Sequence, residues 1–176
     1  MKIVAVWGDI TQVDVDAVVN CAEAGPREIG RRNDELVRWA GQEVESEAQA
    51  RGPIHVGEAI LTTGGRLRCK YVIHAPMVET SEALDPEGVK KSTLAALRCA
   101  AGGRLRSLAI PALASGEGAT QALISALKDF DEKGGVEEVF IVARERRDRK
   151  RHQEGDWKQQ LAPNDSTGVS SLPPTS

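Results

Sequence analysis

The sequence predicts an α/β domain in which helices pack on a mostly parallel central sheet. Short apolar runs alternate with longer segments of helical periodicity, and each helical segment is long enough to form a crossover between parallel strands. Glycine pairs and prolines mark several of the boundaries between these segments. A chain of 176 residues is long enough to bury a core of its own without disulfide bonds.

Six segments have the apolar or β-branched composition of buried strands. In chain order they are residues 2–7, 16–20, 58–63, 70–75, 105–113 and 138–143.

Three segments have the periodicity or the end signals of helices. Apolar residues recur at helical spacing across residues 31–50, with charged residues on the opposite face. Asp85 followed by Pro86 is typical of a helix start, so we expect a helix from there to about residue 101. The third helix is expected over residues 119–133, with a glycine pair ending it.

Composition divides the chain into a body, residues 1–143, and a tail, residues 144–176. The tail begins with a mixed run of basic and acidic residues and continues into a segment rich in serine, threonine, proline and glutamine, which is typical of disorder. No apolar run approaches the length that crosses a bilayer, so we expect no membrane contact. We also expect a cytoplasmic location. The three cysteines form no CxxC pair and are expected to be reduced, and no metal or cofactor is expected.

Three glycine-containing loops follow predicted strands, where α/β folds bind their ligands. Residues 8–11 offer an acid, Asp9, as an acceptor for an amino group, or else form a simple aspartate turn. Residues 22–32 and 114–119 both open helices, where free N–H groups can bind an anion. Each loop taken alone is also consistent with a structural turn, but two facing helix starts would form a slot for a diphosphate.

Several of these segments together resemble the macro domain family. The matching stretches, in order, are GDIT (8–11), VDAVVNCA (15–22), GEA (57–59), KYVIHA (70–75) and IPALASG (110–116). The resemblance covers residues 1–143. It implies a three-layer α/β/α macro-domain fold with a mixed, mostly parallel sheet of about six strands, and ADP-ribose as the ligand.

The resemblance also implies roles for individual residues. Asp9 would accept the adenine amino group with the backbone of Ile10 beside it, and Asn20 would lie under the distal ribose. The diphosphate would be bound by the backbone of the second ligand loop, which comprises Ser115, Gly116, Glu117 and Gly118.

The first ligand loop departs from the family pattern. Glu23 stands where members usually carry a second asparagine, and the usual glycine run is replaced by a segment containing Arg27, Arg31 and Arg32. Glu23 is either a replacement general base, acting with Asn20, or a carboxylate that repels the ligand phosphates. The arginines either offset that repulsion or belong to the solvated face of the helix start.

Three functions follow as hypotheses. The first is binding of ADP-ribose, free or attached to a protein. The second is a hydrolase that removes ADP-ribose from proteins or deacylates O-acetyl-ADP-ribose. The third is a degenerate domain that contacts nucleic acid or protein through the basic run at residues 144–151, although a mixed-charge run is more often a solvated linker.

Overall fold

The computed structural model describes residues 1–21, 34–79, 84–113, 118–130, 135–143 and 169–171. The described strands are β1 (Lys2–Trp7), β2 (Ala17–Asn20), β3 (Ile60–Thr63), β4 (Tyr71–His74), β5 (Ser107–Pro111), β6 (Glu138–Ala143) and β7 (Val169–Ser171). The described α-helices are α1 (Asp34–Ala40), α2 (Gln42–Arg51), α3 (Pro86–Gly102) and α4 (Ala119–Asp129).

The described strands form one mixed sheet in the order β3-β4-β2-β5-β6-β1-β7. β3 runs antiparallel to β4, and every other neighbouring pair is parallel. The carboxyl ends of β4, β2, β5, β6 and β1 therefore meet at one edge of the sheet, which we call the C-terminal edge.

The helices cover both faces of the sheet and give the three layers that the sequence predicted. Alternate residues of each strand point to opposite faces. One face packs against α3 and α4 through a core that includes Leu97, Leu108, Ile110 and Leu123, all completely buried. The other face packs against α1 and α2 through a smaller core around Val18, Val72 and Val44.

The single helix expected over residues 31–50 is instead two helices, and that prediction was wrong at its centre. Gly41 separates α1 from α2 with a φ of +100°, which is a backbone conformation that favours glycine. The chain turns at this point, so that Leu36 and Ala40 of α1 and Val44 of α2 all reach the same face of the sheet.

The start of α3 is confirmed where the sequence predicted it. The carboxylate of Asp85 accepts hydrogen bonds from the backbone N–H groups of Glu87 (2.9 Å) and Gly88 (3.0 Å), and Pro86 occupies the first turn. Other ends are shorter than predicted. The helix expected to reach residue 133 ends at Asp129, where Phe130 is extended, and the strand expected over residues 105–113 comprises Ser107–Pro111.

The seventh strand falls in the tail, where the composition indicated no secondary structure. Val169, Ser170 and Ser171 pair in parallel with Ala5, Val6 and Trp7 at the outer side of β1. The boundary between body and tail stays a prediction, since the rest of residues 144–176 lies outside the described residues. In the described part of the chain, no helix combines the length and the apolar character needed to cross a membrane.

Candidate functional site

The predicted site residues that the structure describes lie at the C-terminal edge of the sheet. Asp9 follows β1, Asn20 ends β2, and Gly118 follows β5 and precedes α4. The structure thus places at one edge three residues that are far apart in the sequence. The remaining predicted site residues lie outside the described residues; they are Glu23, Ser115, Gly116 and Glu117.

Asp9 caps the 3₁₀ turn Ile10–Gln12 that follows β1. Its Oδ1 accepts hydrogen bonds from the backbone N–H of Thr11 (2.9 Å) and from the Thr11 hydroxyl (2.8 Å). The aspartate turn that the sequence offered as the alternative is therefore present. The side chain is exposed, and its second oxygen, Oδ2, has no hydrogen bond to any described residue, so one acceptor stays open to a ligand. The N–H of the neighbouring Ile10 also has no partner in the described part of the chain.

Gly118 begins α4 in the left-handed conformation, with a φ of +76°. The positive φ favours glycine here, and a Cβ at this position would make a tight contact of 3.2 Å with Cγ of Pro86. Glycine supplies no side-chain cap, so no side chain of residue 118 accepts a hydrogen bond from the N–H groups of the first helical turn. These N–H groups lie at the positive end of the helix dipole, which favours an anionic acceptor.

A side-chain hydrogen bond joins α4 to the residues that follow β5. The hydroxyl of Thr120, in the first turn of α4, donates a hydrogen bond to the carbonyl oxygen of Leu113 (2.9 Å). This bond ties the first turn of α4 to Leu113, two residues after the end of β5.

Asn20 is completely buried at the end of β2 and belongs to a hydrogen-bonded group of side chains. Its Nδ2 lies 3.3 Å from Nδ1 of His74, and Nε2 of His74 lies 3.0 Å from Oγ1 of Thr62. The Asn20 Oδ1 is buried and has no hydrogen-bond partner among the described residues. A buried acceptor without a partner is rare in folded proteins and calls for an explanation.

Burial keeps the imidazole of His74 neutral. Removal from water lowers the pKa of His74 from its ordinary value of 6.5 to about 4, and the nearby carboxylate of Glu47 opposes this shift only in part. His74 is thus a hydrogen-bonded histidine of the core. Its contact with Asn20 was missed, because only the pairing of β2 with β4 brings these two residues together.

The neighbouring Cys21 is also buried, which raises the pKa of its thiol to about 12, so the thiol is protonated and unreactive at neutral pH. The described cysteines carry no disulfide bond. Within the described ranges, no group of histidine, cysteine and carboxylate side chains is arranged to hold a metal ion.

A depression of about 370 Å³ lies beyond the end of β4, at the start of α3. Its charged lining consists of Glu79, Asp85, Glu87 and Lys91, so its balance is negative. A diphosphate would be repelled there. Of the described features at the C-terminal edge, the start of α4 is better suited to an anion.

Fold and site together define a three-layer α/β/α domain with a mixed sheet and a candidate ligand site at its C-terminal edge. The family model for the macro domain matches residues 19–126. A relative from Aquifex aeolicus is 38% identical over 149 residues, which are 81% of this chain and 90% of the relative. A second relative, from Aeropyrum pernix, is 39% identical over 112 residues, and the matched part is 63% of this chain and 59% of that longer protein. The chain belongs to the macro domain family.

Solved structures agree on the fold. The crystal structure of a Trypanosoma brucei macrodomain in complex with ADP-ribose superposes with a TM-score of 0.72 at 23% identity, covering 86% of this chain and 68% of that one. The predicted macro-domain fold, with its mixed and mostly parallel sheet, is thereby confirmed.

Proposed function

We propose that this macro domain binds ADP-ribose, free or attached to a protein, in a cleft at the C-terminal edge of its sheet. The single observation that carries the proposal is the buried Oδ1 of Asn20, which lacks a hydrogen-bond donor among the described residues. An unsatisfied buried acceptor costs about 1–3 kcal/mol. A hydroxyl of the distal ribose, donating to this oxygen, would remove that cost.

Asp9 supplies an acceptor for the adenine end of the proposed ligand. Its Oδ1 is fixed by Thr11, so the position of the open Oδ2 is fixed as well. A fixed carboxylate oxygen accepts a hydrogen bond from the exocyclic amino group of adenine and offers no donor to a purine that lacks this group.

The start of α4 is the proposed binding site for the diphosphate, which lies between the adenine and the distal ribose of the ligand. Thr120 ties the first turn of α4 to Leu113, and Gly118 has no side chain that would hinder a ligand at the helix start. A helix N-terminus binds phosphate through its N–H groups and its dipole. The formal net charge of −3 does not oppose this, because the local dipoles act at contact distance. The family relationship and the ADP-ribose complex of the Trypanosoma brucei macrodomain point to the same ligand.

Calorimetric titration with ADP-ribose, ADP and AMP tests the proposal. Affinity is expected to fall from ADP-ribose to ADP to AMP, because each shorter ligand loses contacts. At a ligand concentration of 100 times Kd, thermal unfolding should report about 2.7 kcal/mol of added stability. A protein that shows neither heat nor stabilisation with millimolar ADP-ribose does not bind it, and the proposal fails.

Asp9→Asn is the sharpest variant for the adenine contact. The amide oxygen can still accept both bonds from Thr11, so the turn is kept, but an NH₂ group then occupies the position of Oδ2 and faces the adenine amino group. We expect about tenfold to a hundredfold weaker binding, since a charge-assisted bond is lost. Asp14→Asn, at an exposed aspartate on the segment that leads into β2, is the matched control and should bind as the wild type does.

Two further hypotheses from the sequence stay predictions. Hydrolytic removal of ADP-ribose from a protein depends on Glu23, which lies outside the described residues. Release of free ADP-ribose from a modified protein, abolished in Glu23→Gln, is the measurement that tests it. A role of residues 144–151 in nucleic-acid binding would require affinity that falls steeply with salt.

A further inference from the structure

We propose that His74 and Thr62 are positioning residues, which orient the Asn20 amide so that its oxygen faces the ligand and its nitrogen faces the protein. This inference rests on the proposed function, because it assigns the reason why Asn20 presents an acceptor and not a donor.

The three side chains form a continuous series of hydrogen bonds across three neighbouring strands. Asn20 on β2 is the register partner of His74 on β4, and Thr62 lies on the antiparallel strand β3 beside it. Asn20 and His74 are 0% exposed and Thr62 is 2% exposed. Water therefore does not compete for these bonds, and each polar atom depends on its protein neighbour.

The donor-to-acceptor direction of these hydrogen bonds follows from which atoms can donate. The amide nitrogen of Asn20 only donates, so Nδ1 of His74 at 3.3 Å accepts and the ring proton sits on Nε2. The Nε2–H then donates to Oγ1 of Thr62, and the Thr62 hydroxyl donates onward to the carbonyl oxygen of Thr63 (3.1 Å).

The reverse direction is less favourable by one hydrogen bond. If the amide were flipped, Nδ1 would carry the proton and Thr62 would have to donate to Nε2. Its hydroxyl has one hydrogen, so the bond to the Thr63 carbonyl oxygen would be lost. The bond that ends the chain on β3 thus selects the orientation of an amide on β2.

Charge does not disturb this order near neutral pH. Burial holds the pKa of His74 at about 4, so the ring carries a single proton. The neighbouring Glu47 carboxylate is itself engaged, since it accepts bonds from the Thr63 N–H (2.9 Å) and the Thr63 hydroxyl (3.2 Å).

The first test reads the histidine tautomer directly, by NMR correlation of the imidazole nitrogens and protons at pH 7 in the free protein. We expect the Nε2–H tautomer for His74, with Nδ1 unprotonated. In Thr62→Val, which keeps the shape and removes the hydroxyl, the population should shift toward Nδ1–H. A wild-type protein with the Nδ1–H tautomer overturns the inference.

The second test reads the ligand. ADP-ribose should bind about five- to tenfold more weakly to Thr62→Val, which corresponds to one lost hydrogen bond. Thr62→Ser keeps the hydroxyl and should restore wild-type affinity. Thr63→Val is the matched control on the same strand, because the exposed Thr63 hydroxyl bonds only to Glu47 among the described residues. Circular dichroism confirms that each variant is folded.

The outcomes separate the two proposals. Wild-type protein that fails to bind ADP-ribose refutes the proposed function and this inference with it. Wild-type binding that Thr62→Val leaves unchanged refutes the inference alone. A loss of affinity in Thr63→Val equal to that in Thr62→Val would assign the effect to the stability of β3 and would equally overturn the positioning role.

Discussion

We expect mild acid to destabilise this domain through the buried side chain of His74. In the folded protein its pKa is about 4, while in the unfolded chain it returns to its ordinary value of 6.5. Between these two values the unfolded state binds a proton that the folded state excludes. The stability that depends on a neutral His74 is therefore fully present above pH 6.5 and is lost as the pH falls toward 4.

The size of the effect follows from the difference between the two pKa values. Each unit of difference corresponds to about 1.4 kcal/mol, so the complete loss is about 3 kcal/mol. Between pH 7.5 and 5.0 the expected loss is about 2 kcal/mol. The pKa values of Asp16 and Asp129 are lowered from 3.8, so their contributions are lost only at more acidic pH.

Urea denaturation at pH values from 7.5 to 5.0, followed by circular dichroism, measures this loss. His74→Gln cannot gain a proton in this range, so its free energy of unfolding should vary with pH much less than that of the wild type. His55→Gln is the control, since the His55 side chain is 61% exposed and bonds to Glu79 at the surface. Only the pH dependence is compared, so a general destabilisation by either substitution does not affect the result. Equal slopes for wild type and His74→Gln would refute the assignment of a low pKa to His74.

Four further substitutions, of which Gly102→Ala is a control, test the turns, the cap of α3 and the packing, each by urea denaturation at pH 7. Gly65→Ala should lower the free energy of unfolding by more than about 1 kcal/mol, because φ is +57° and a Cβ would lie 2.2 Å from the Ala40 carbonyl oxygen. Gly102→Ala, where a Cβ meets nothing within 4 Å, should change it by less than about 0.5 kcal/mol, and equal losses would contradict the steric explanation. Asp85→Ala removes the cap of α3 and should cost about 1 kcal/mol, whereas no loss would mean that the cap is dispensable. Leu123→Ala opens a cavity between α4 and the sheet and should cost about 2–5 kcal/mol, and a smaller loss would mean that the core closes around it.

The sequence predicted best those features that depend on local chemistry. The apolar pattern of residues 2–7 and 138–143 located β1 and β6 to the residue. Asp85 and Pro86 located the start of α3, because the capping bonds involve only neighbouring residues. The break between α1 and α2 was missed, because helical periodicity runs on through Gly41 and only the packing of both helices on one face requires the turn.

The candidate site was predictable only in part, because some of its contacts depend on strand pairing and not on local sequence. The aspartate at residue 9 and the glycine at 118 stand in recognisable loops, and the structure brings both to one edge of the sheet. The contact between Asn20 and His74 joins residues that are 54 positions apart, and Thr62 comes from a third strand. No local pattern encodes such a contact, because it depends on strand order and register.

Two strands near the borders of the described sheet, β1 and β3, have outer backbone groups that are already bonded. On one side, β7 occupies the hydrogen-bonding groups of β1. On the other, α2 supplies side chains to the backbone of β3: Glu47 accepts from the Thr63 N–H, and Arg51 donates to the carbonyl oxygen of Leu61. Open strands recruit other chains and lead to aggregation. This protein covers the end of β1 with its own distant C-terminal segment and β3 with a carboxylate and a guanidinium, so these groups of the described sheet are not available for strand addition.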